Sequence, residues 1–139
     1  MLAVGDCTRS PDRRAGRALR LESVQNANDQ ARTAVATLTG APRAHDAVAW
    51  FWSDQGALRL QMAGLMPAEG TPGLASVRRA GPKPEAFSLF HYVDGQLVCV
   101  ESVNAPVDHM MSRKLLEAGR SPAPEAVADA AVPLKNHLA

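Results

Sequence analysis

The sequence predicts an α+β fold in which an antiparallel sheet carries helices on one face. Two β-rich runs flank Asp94-Gly95, a dipeptide that favours a two-residue hairpin between antiparallel strands. A third run, over residues 57–65, alternates apolar and polar side chains as a half-buried strand does. A helical pattern over residues 106–118 follows the hairpin. Together these observations indicate one α+β layer over residues 45–131.

The first part of the chain predicts a strand, a loop and a helix. Residues 1–6 are largely apolar and predict a short strand. Residues 7–20 are polar and rich in arginine, which is typical of a solvated loop. A helix is expected over residues 22–38, because apolar residues recur there near the 3.6-residue period. Its predicted buried face is narrow and rich in alanine: Val24, Ala27, Ala31, Ala34, Val35 and Leu38.

The layer that follows contains further strands and helices. In the strand at 57–65, the predicted apolar face consists of Leu58, Leu60 and Met62. Residues 74–79 predict another strand, which ends before a Gly-Pro-Lys-Pro turn. The helix at 106–118 begins with proline, which suits a first helical turn. Its apolar side is predicted to consist of Val107, Met110, Met111, Leu115 and Leu116, and a last short helix is expected over residues 125–131.

Composition limits the classes of function. The 139 residues are 46% hydrophobic and 21% charged, so the chain can bury a core. The net charge of +1 provides no electrostatic footprint for nucleic acid or an anionic membrane. The lone predicted strand near the start has no neighbouring strand to pair with, so residues 1–42 are interpreted as the terminal piece of another domain. Residues 43–139 are interpreted as the α+β domain.

Several common chemical motifs do not occur in the sequence. There is no GxGxxG turn, so this chain is not expected to form a dinucleotide site by itself. The four histidines have no metal-ligand spacing, and neither a metal site nor a catalytic residue is predicted. Cys7 and Cys99 lie in no CxxC motif, and residues 1–6 lack the basic start of a signal peptide. These features favour a cytoplasmic protein with two free thiols.

The segment Trp50-Phe51-Trp52-Ser53-Asp54-Gln55 contains both tryptophans of the chain, although aromatic residues make up only 4% of the composition. One interpretation is a core anchor at the start of a strand, since large aromatic side chains usually supply packing area. The alternative is a platform for a planar ligand or a partner surface, because hydrogen-bonding groups follow the aromatic residues at once.

Three segments carry a resemblance to a known family: Val4-Gly5-Asp6-Cys7, residues 21–27 (LESVQNA) and Trp50–Gln55. In order and spacing, they resemble the C-terminal third of FAD-dependent NAD(P)H:ferredoxin reductases. This family includes putidaredoxin reductase, rhodocoxin reductase and the reductase components of aromatic-ring dioxygenases. The Asn104-Ala105-Pro106 segment is similar to that family's C-terminal domain as well, and the resemblance covers roughly residues 3–131.

The resemblance implies a role for five residues in binding FAD. Asp6 matches the aspartate that binds the ribityl side of the cofactor. Glu22, Ser23 and Val24 match the start of the helix whose amide end faces the pyrimidine edge of the flavin, where a positive helix end would stabilise negative charge. Trp52 matches the tryptophan beside the flavin ring. In this family, hydride passes from NAD(P)H to FAD and single electrons pass on to a [2Fe-2S] ferredoxin.

The sequence also departs from the family. The FAD and NAD domains that precede this region in the reductases are missing apart from residues 1–42, so the chain alone is expected to be catalytically incomplete and not to retain FAD. Arg78-Arg79-Ala80-Gly81 stands where relatives tend to have an Arg-Gly-Asp-like turn. Two alternatives therefore remain: a stand-alone, non-enzymatic module for dimerisation or interaction, and a subunit that acts in trans with a separate FAD/NAD-domain protein. Whether the chain is itself an enzyme stays undecided at this point.

Overall fold

The computed structural model describes residues 1–138, which form two compact units. The first unit is Met1–Phe51, and the second begins at Trp52. No helix among the described residues combines the length and the apolar character needed to cross a membrane. Cys7 and Cys99 are both free thiols, the first exposed and the second buried.

The first unit contains a small antiparallel hairpin and one long helix. Strands β1 (Ser10–Asp12) and β2 (Arg17–Leu19) pair in register, and helix α1 is Val24–Leu38. The predicted strand over residues 1–6 is wrong, because this segment pairs with no other strand and Gly5 enters a turn. A strand exists only where a neighbour accepts its hydrogen bonds, and the hairpin instead formed within the predicted loop.

The buried face of α1 differs from the predicted alanine face. Its buried side chains are polar, namely Gln25, Asn26 and Gln30, whereas Val24, Val35 and Leu38 are exposed. The segments around the helix are irregular and have unpaired backbone groups, which glutamine and asparagine amides can satisfy and alanine cannot. The apolar periodicity therefore predicted the helix correctly but predicted the wrong face of it to be buried.

The main sheet has five strands in the order β3-β4-β7-β6-β5. They are β3 (Trp50–Gln55), β4 (Leu58–Gly64), β5 (Leu74–Ala80), β6 (Phe87–Val93) and β7 (Gln96–Val103). The pairings β4–β7, β7–β6 and β6–β5 are antiparallel. The predicted hairpin at Asp94-Gly95 is confirmed, with both residues at positive φ, as a tight two-residue turn requires.

The predicted apolar face of β4 is wrong. Leu58 is exposed and Leu60 and Met62 are only partly buried, whereas Gln61 and Ala63 are buried. The register places Gln61 opposite Ser102 on β7. The sheet face that carries Gln61 therefore packs beneath the helices, and its strand needs small or hydrogen-bonding side chains at those positions.

Three helical segments follow the sheet: α2 (Pro106–Glu117), α3 (Pro124–Ala128) and a 3₁₀ helix (Leu134–Leu138). Helix α2 packs on β4 and β7, and α3 packs on β5, so these helices and strands form the predicted α+β layers. Leu115 and Leu116 are buried as predicted. Val107 and Met110 were also predicted on the apolar side, but both are exposed, because the buried side of α2 carries His109 and Ser112 instead.

The burial of His109 predicts that the stability of the protein depends on pH. Burial, together with the nearby Arg113 and Arg59 guanidinium groups, lowers the pKa of His109 to about 4. In the unfolded chain this histidine takes up a proton near its ordinary pKa of about 6.5. The unfolded state therefore binds more protons below pH ~6.5, and stability should fall as pH is lowered from there toward 4, by at most about 1.4 kcal/mol per pH unit.

Urea unfolding at a series of pH values tests this expectation. His109→Gln should show a flatter pH dependence than the parent chain between pH ~6.5 and 4, because glutamine has no proton to bind. Parallel curves for the two proteins would show that His109 does not cause the acid-induced loss of stability.

Candidate functional site

Gly5 and Asp6 form a turn that is anchored to α1. Gly5 is buried at φ +83°, and its N–H donates to Oε1 of Gln30 at 2.7 Å. Thr8 closes the turn, since its N–H and hydroxyl both donate to the Gly5 carbonyl. A side chain at Gly5 would approach Ala27 to van der Waals distance, so this turn lies directly against the helix. Asp6 is exposed at the end of this anchored turn.

Ser23 begins α1 as its N-cap. Its backbone is extended, and Oγ accepts a hydrogen bond from the Asn26 N–H at 3.1 Å. The first turn contains no acidic side chain. The other amides of a first helical turn have no acceptor within the helix and carry the positive end of its dipole. This helix end therefore offers donors to an electron-rich ligand edge.

The other two predicted residues of this group flank the cap differently. Glu22 precedes the helix and is exposed, in an ion pair with Arg20. The predicted helix start at Glu22 is thus two residues early. Val24 is the first helical residue, and its side chain is 62% exposed. It therefore presents an apolar contact surface at the N-terminus of α1.

The buried amides of α1 tie the rest of the first unit together. Gln30 bonds the Gly5 turn and also contacts Ser10 on β1 through Nε2. Asn26 donates to the Leu21 carbonyl at 2.8 Å. Gln25 accepts from the Trp50 N–H at 3.2 Å, which anchors the first residue of β3 to the first turn of α1. The helix end, the Gly5-Asp6 turn and the start of β3 are consequently held by one polar network.

Trp52 belongs to the second unit and lies on β3 with 38% of its surface exposed. Phe51 is similarly exposed at 37%, whereas Trp50 is partly buried. The aromatic segment does start a strand, as predicted, but none of its three aromatic side chains is fully buried. An exposed aromatic ring on a strand is available for contact with a ligand or partner.

A surface cleft of about 340 Å³ also lies in the first unit, lined by Asp29, Thr33, Arg43, His45 and Asp46 among others. None of the predicted site residues lines it. Among residues 1–138, no group of three histidine, cysteine or acidic side chains could hold a metal ion. The Gly5-Asp6 turn and the start of α1 are thus not part of this cleft, and they form an exposed edge of the first unit.

Two buried polar residues were assigned no role from the sequence. His91 is 4% exposed and joins Ser76, at 2.8 Å from Nδ1, to Glu101, at 3.1 Å from Nε2. Both ring nitrogens are thus occupied within the sheet, which is the arrangement of a structural histidine. Arg79 is 6% exposed and bonds the backbone of the C-terminal segment. The sequence did contain a signal for Arg79. It is an arginine within a predicted strand, at a position whose side chain points toward the core.

The fold of the second unit defines a class of protein, a reductase C-terminal α+β domain, and the turn and the helix end belong to the first unit. Residues 50–138 match the family model described as "Reductase C-terminal", and the chain belongs to that family. The resemblance to the C-terminal portion of ferredoxin reductases is confirmed.

Relatives of known identity support this assignment. The chain is 44% identical to the 5,5'-dehydrodivanillate O-demethylase ferredoxin reductase subunit of Sphingobium sp. (strain NBRC 103272 / SYK-6), over 96% of this chain and 32% of that protein. It is 43% identical to rhodocoxin reductase of Rhodococcus erythropolis, over 99% of this chain and 31% of that protein. The chain thus spans about a third of the length of these curated relatives.

Solved structures agree with the fold. The ferredoxin reductase for the CYP199A2 system from Rhodopseudomonas palustris matches with a TM-score of 0.87 and 43% identity, covering 98% of this chain and 33% of that one. The reductase in the covalent putidaredoxin reductase–putidaredoxin complex matches with a TM-score of 0.86 and 34% identity, covering 99% and 32%. The predicted α+β class is therefore confirmed.

Proposed function

We propose that this chain is the C-terminal part of a cytoplasmic, FAD-dependent ferredoxin reductase that passes electrons from NAD(P)H through FAD to a ferredoxin. The observation that carries the proposal is the polar network of α1, which holds the Gly5-Asp6 turn beside a helix end that has no acidic residue in its first turn. Similarity to reductases over nearly the whole chain supports it.

The residues of this edge fit one side of a flavin. Asp6 presents a carboxylate that accepts hydrogen bonds from ligand hydroxyls, as the ribityl chain of FAD would need. The first turn of α1, capped by Ser23, would donate amides to the electron-rich pyrimidine edge and stabilise negative charge there. Glu22 and Val24 would flank that edge, and Trp52 would lie against the ring. When bound, FAD would supply hydride acceptance and single-electron release.

The open form of this edge supports the expectation that the chain alone does not retain FAD. A bound cofactor normally has most of its surface enclosed, whereas Asp6, Glu22 and Val24 are exposed and line no part of the cleft at Asp29. Val24, Val35 and Leu38 are exposed along α1. Such an apolar stripe is suited to packing against further protein, either the remaining reductase domains or a separate subunit acting in trans.

A chimeric reductase tests the proposal. This chain would replace the matching C-terminal third of rhodocoxin reductase, to which it is 43% identical. We expect the chimera to hold FAD and to reduce the parent's ferredoxin with NADH. In the chimera, Trp52→Ala should lower ferredoxin turnover by about tenfold, a loss of about 1.4 kcal/mol in the transition state, with flavin content unchanged.

Trp50→Phe provides the matched control, because it changes the neighbouring tryptophan while keeping an aromatic ring. It should leave turnover per bound flavin within about twofold of the parent. A well-folded chimera that binds FAD and fails to reduce ferredoxin would contradict the proposal and favour an interaction module. A Trp52→Ala chimera that loses stability with unchanged turnover would instead show that Trp52 is a core anchor.

A further inference from the structure

Asn104 has an unusual backbone conformation at the junction of β7 and α2. Its φ is +48°, and among the described residues only Asp94 shares a positive φ without being glycine. Asparagine tolerates this left-handed region better than most residues, but it is still a less favourable conformation than the usual ones. A residue keeps this backbone conformation only where contacts with its neighbours hold it there.

Those contacts join Asn104 to the tip of the β3–β4 hairpin. The Asn104 N–H donates to the Arg59 carbonyl at 3.0 Å, and the Arg59 N–H donates back to Oδ1 at 2.9 Å. Nδ2 also donates to the Ala57 carbonyl, at 3.4 Å. The partners determine the orientation of the amide, because Oδ1 must face the N–H and Nδ2 the carbonyl. The side chain thus extends the β4–β7 pairing beyond its last backbone pair.

The rest of the hairpin tip is held less firmly. Asp54 and Arg59 form an ion pair across the hairpin at 3.7 Å, but both side chains are more than half exposed. An exposed pair of this kind contributes little to stability. The hydrogen bonds to Asn104 therefore hold the hairpin tip more firmly than the Asp54–Arg59 ion pair does. Trp52 lies two residues before Asp54 on the same strand, so the path of the hairpin decides where its ring stands.

We propose that Asn104 is a positioning residue, which fixes the tip of the β3–β4 hairpin and through it the place of Trp52. The functional consequence rests on the proposed function, in which Trp52 contacts the flavin. Asn104 itself touches no reacting group in this scheme. It acts through the backbone of Ala57 and Arg59.

The first experiment measures position in the full chain, without any cofactor. A Trp50→Phe background leaves Trp52 as the single tryptophan. Asn104→Gly keeps the positive φ and removes both side-chain bonds. Asp94→Gly is the control, because it replaces the other non-glycine residue at positive φ, in the β6–β7 hairpin. We expect amide exchange at Arg59 to become about tenfold faster in Asn104→Gly, with a shift in Trp52 emission, and neither change in Asp94→Gly. Equal behaviour of the two variants would overturn the proposal.

The second experiment measures function in the chimeric reductase. Asn104→Gly should lower ferredoxin turnover per bound flavin by about fivefold, since small misplacements of a contact group are costly, with flavin content unchanged. Asn104→Asp should recover only part of that loss, because it keeps the acceptor for Arg59 but places a carboxylate oxygen against the Ala57 carbonyl. Lower thermal stability with unchanged turnover per flavin would reduce Asn104 to a structural role and overturn the inference.

The two experiments separate this inference from the proposed function. If the unmodified chimera does not reduce ferredoxin, the proposed function fails, and the exchange and emission measurements on the full chain still decide whether Asn104 places Trp52. If the chimera is active and both Asn104 variants match the parent, the positioning role fails while the proposed function stands.

Discussion

Replacing Arg79 with methionine should lower the free energy of unfolding of the second unit by about 3–5 kcal/mol, the usual cost of breaking a buried, hydrogen-bonded charge arrangement. Arg79 is 6% exposed, and its guanidinium donates to the carbonyls of Val127 at 2.9 Å, Asp129 at 2.7 Å and Val132 at 3.0 Å. Its Nε lies 3.5 Å from the Asp108 carboxylate on α2. Methionine fills similar space but would leave these acceptors and the carboxylate without their cation.

Arg78→Met is the matched control for this prediction. Arg78 is the exposed neighbour on β5, where it stacks over the ring of Phe87 at 4.9 Å. Loss of an exposed cation–π contact costs about 0.5–1 kcal/mol. Urea unfolding of both variants, with limited proteolysis of residues 127–132, gives the comparison. Similar midpoints for the two variants, with the segment still protected, would show that Arg79 does not hold it.

The second large effect is expected at Asp6. In the chimeric reductase, Asp6→Ala should weaken FAD retention by about 10- to 100-fold, since a hydrogen bond to a charged acceptor contributes about 1.5–3 kcal/mol. Asp6→Asn keeps one oxygen acceptor and should lie between Ala and the parent. The measurement is the flavin that remains bound per protein during dilution and dialysis. The folded state should change little, because Asp6 is exposed at the end of a turn that Gln30 holds.

Asp46→Asn serves as the control for general charge effects, because Asp46 is an exposed acid in the same unit, in an ion pair with Arg14. It should leave flavin retention unchanged, since surface ion pairs contribute about 0–1 kcal/mol. If Asp6→Ala retained FAD as well as the parent does, the carboxylate would have no part in binding. The turn would then serve only to shape the first unit.

Much of the second unit could be predicted from local signals. The Asp94-Gly95 hairpin, the strand at 74–79 and the helix that begins at Pro106 all have strong turn, alternation or capping chemistry, and each was found within a residue or two. Such signals are reliable because they depend on backbone geometry and on neighbours close in sequence. The resemblance then identified the family, which no single local signal could do.

Predictions that depended on distant neighbours were less successful. The strand expected over residues 1–6 did not form, and the buried face of α1 is amide-rich where alanine was expected. On β4, Gln61 is buried and Leu58 is exposed, the reverse of the apolar pattern. In each case, the deciding partner is a backbone or side-chain group far away in sequence, which a hydrophobic pattern does not encode.

The sequence by itself determined the α+β class, the positions of the main strands and helices, and the family to which the chain belongs. These features follow from short-range geometry and from motif order. Only the tertiary structure decided which polar groups the fold buries, because a buried glutamine or arginine depends on backbone N–H and carbonyl groups that the fold brings to it. Gln30 beneath the Gly5 turn and Asn104 beside Arg59 acquire their roles in this way, since their partners lie 25 and 45 residues away.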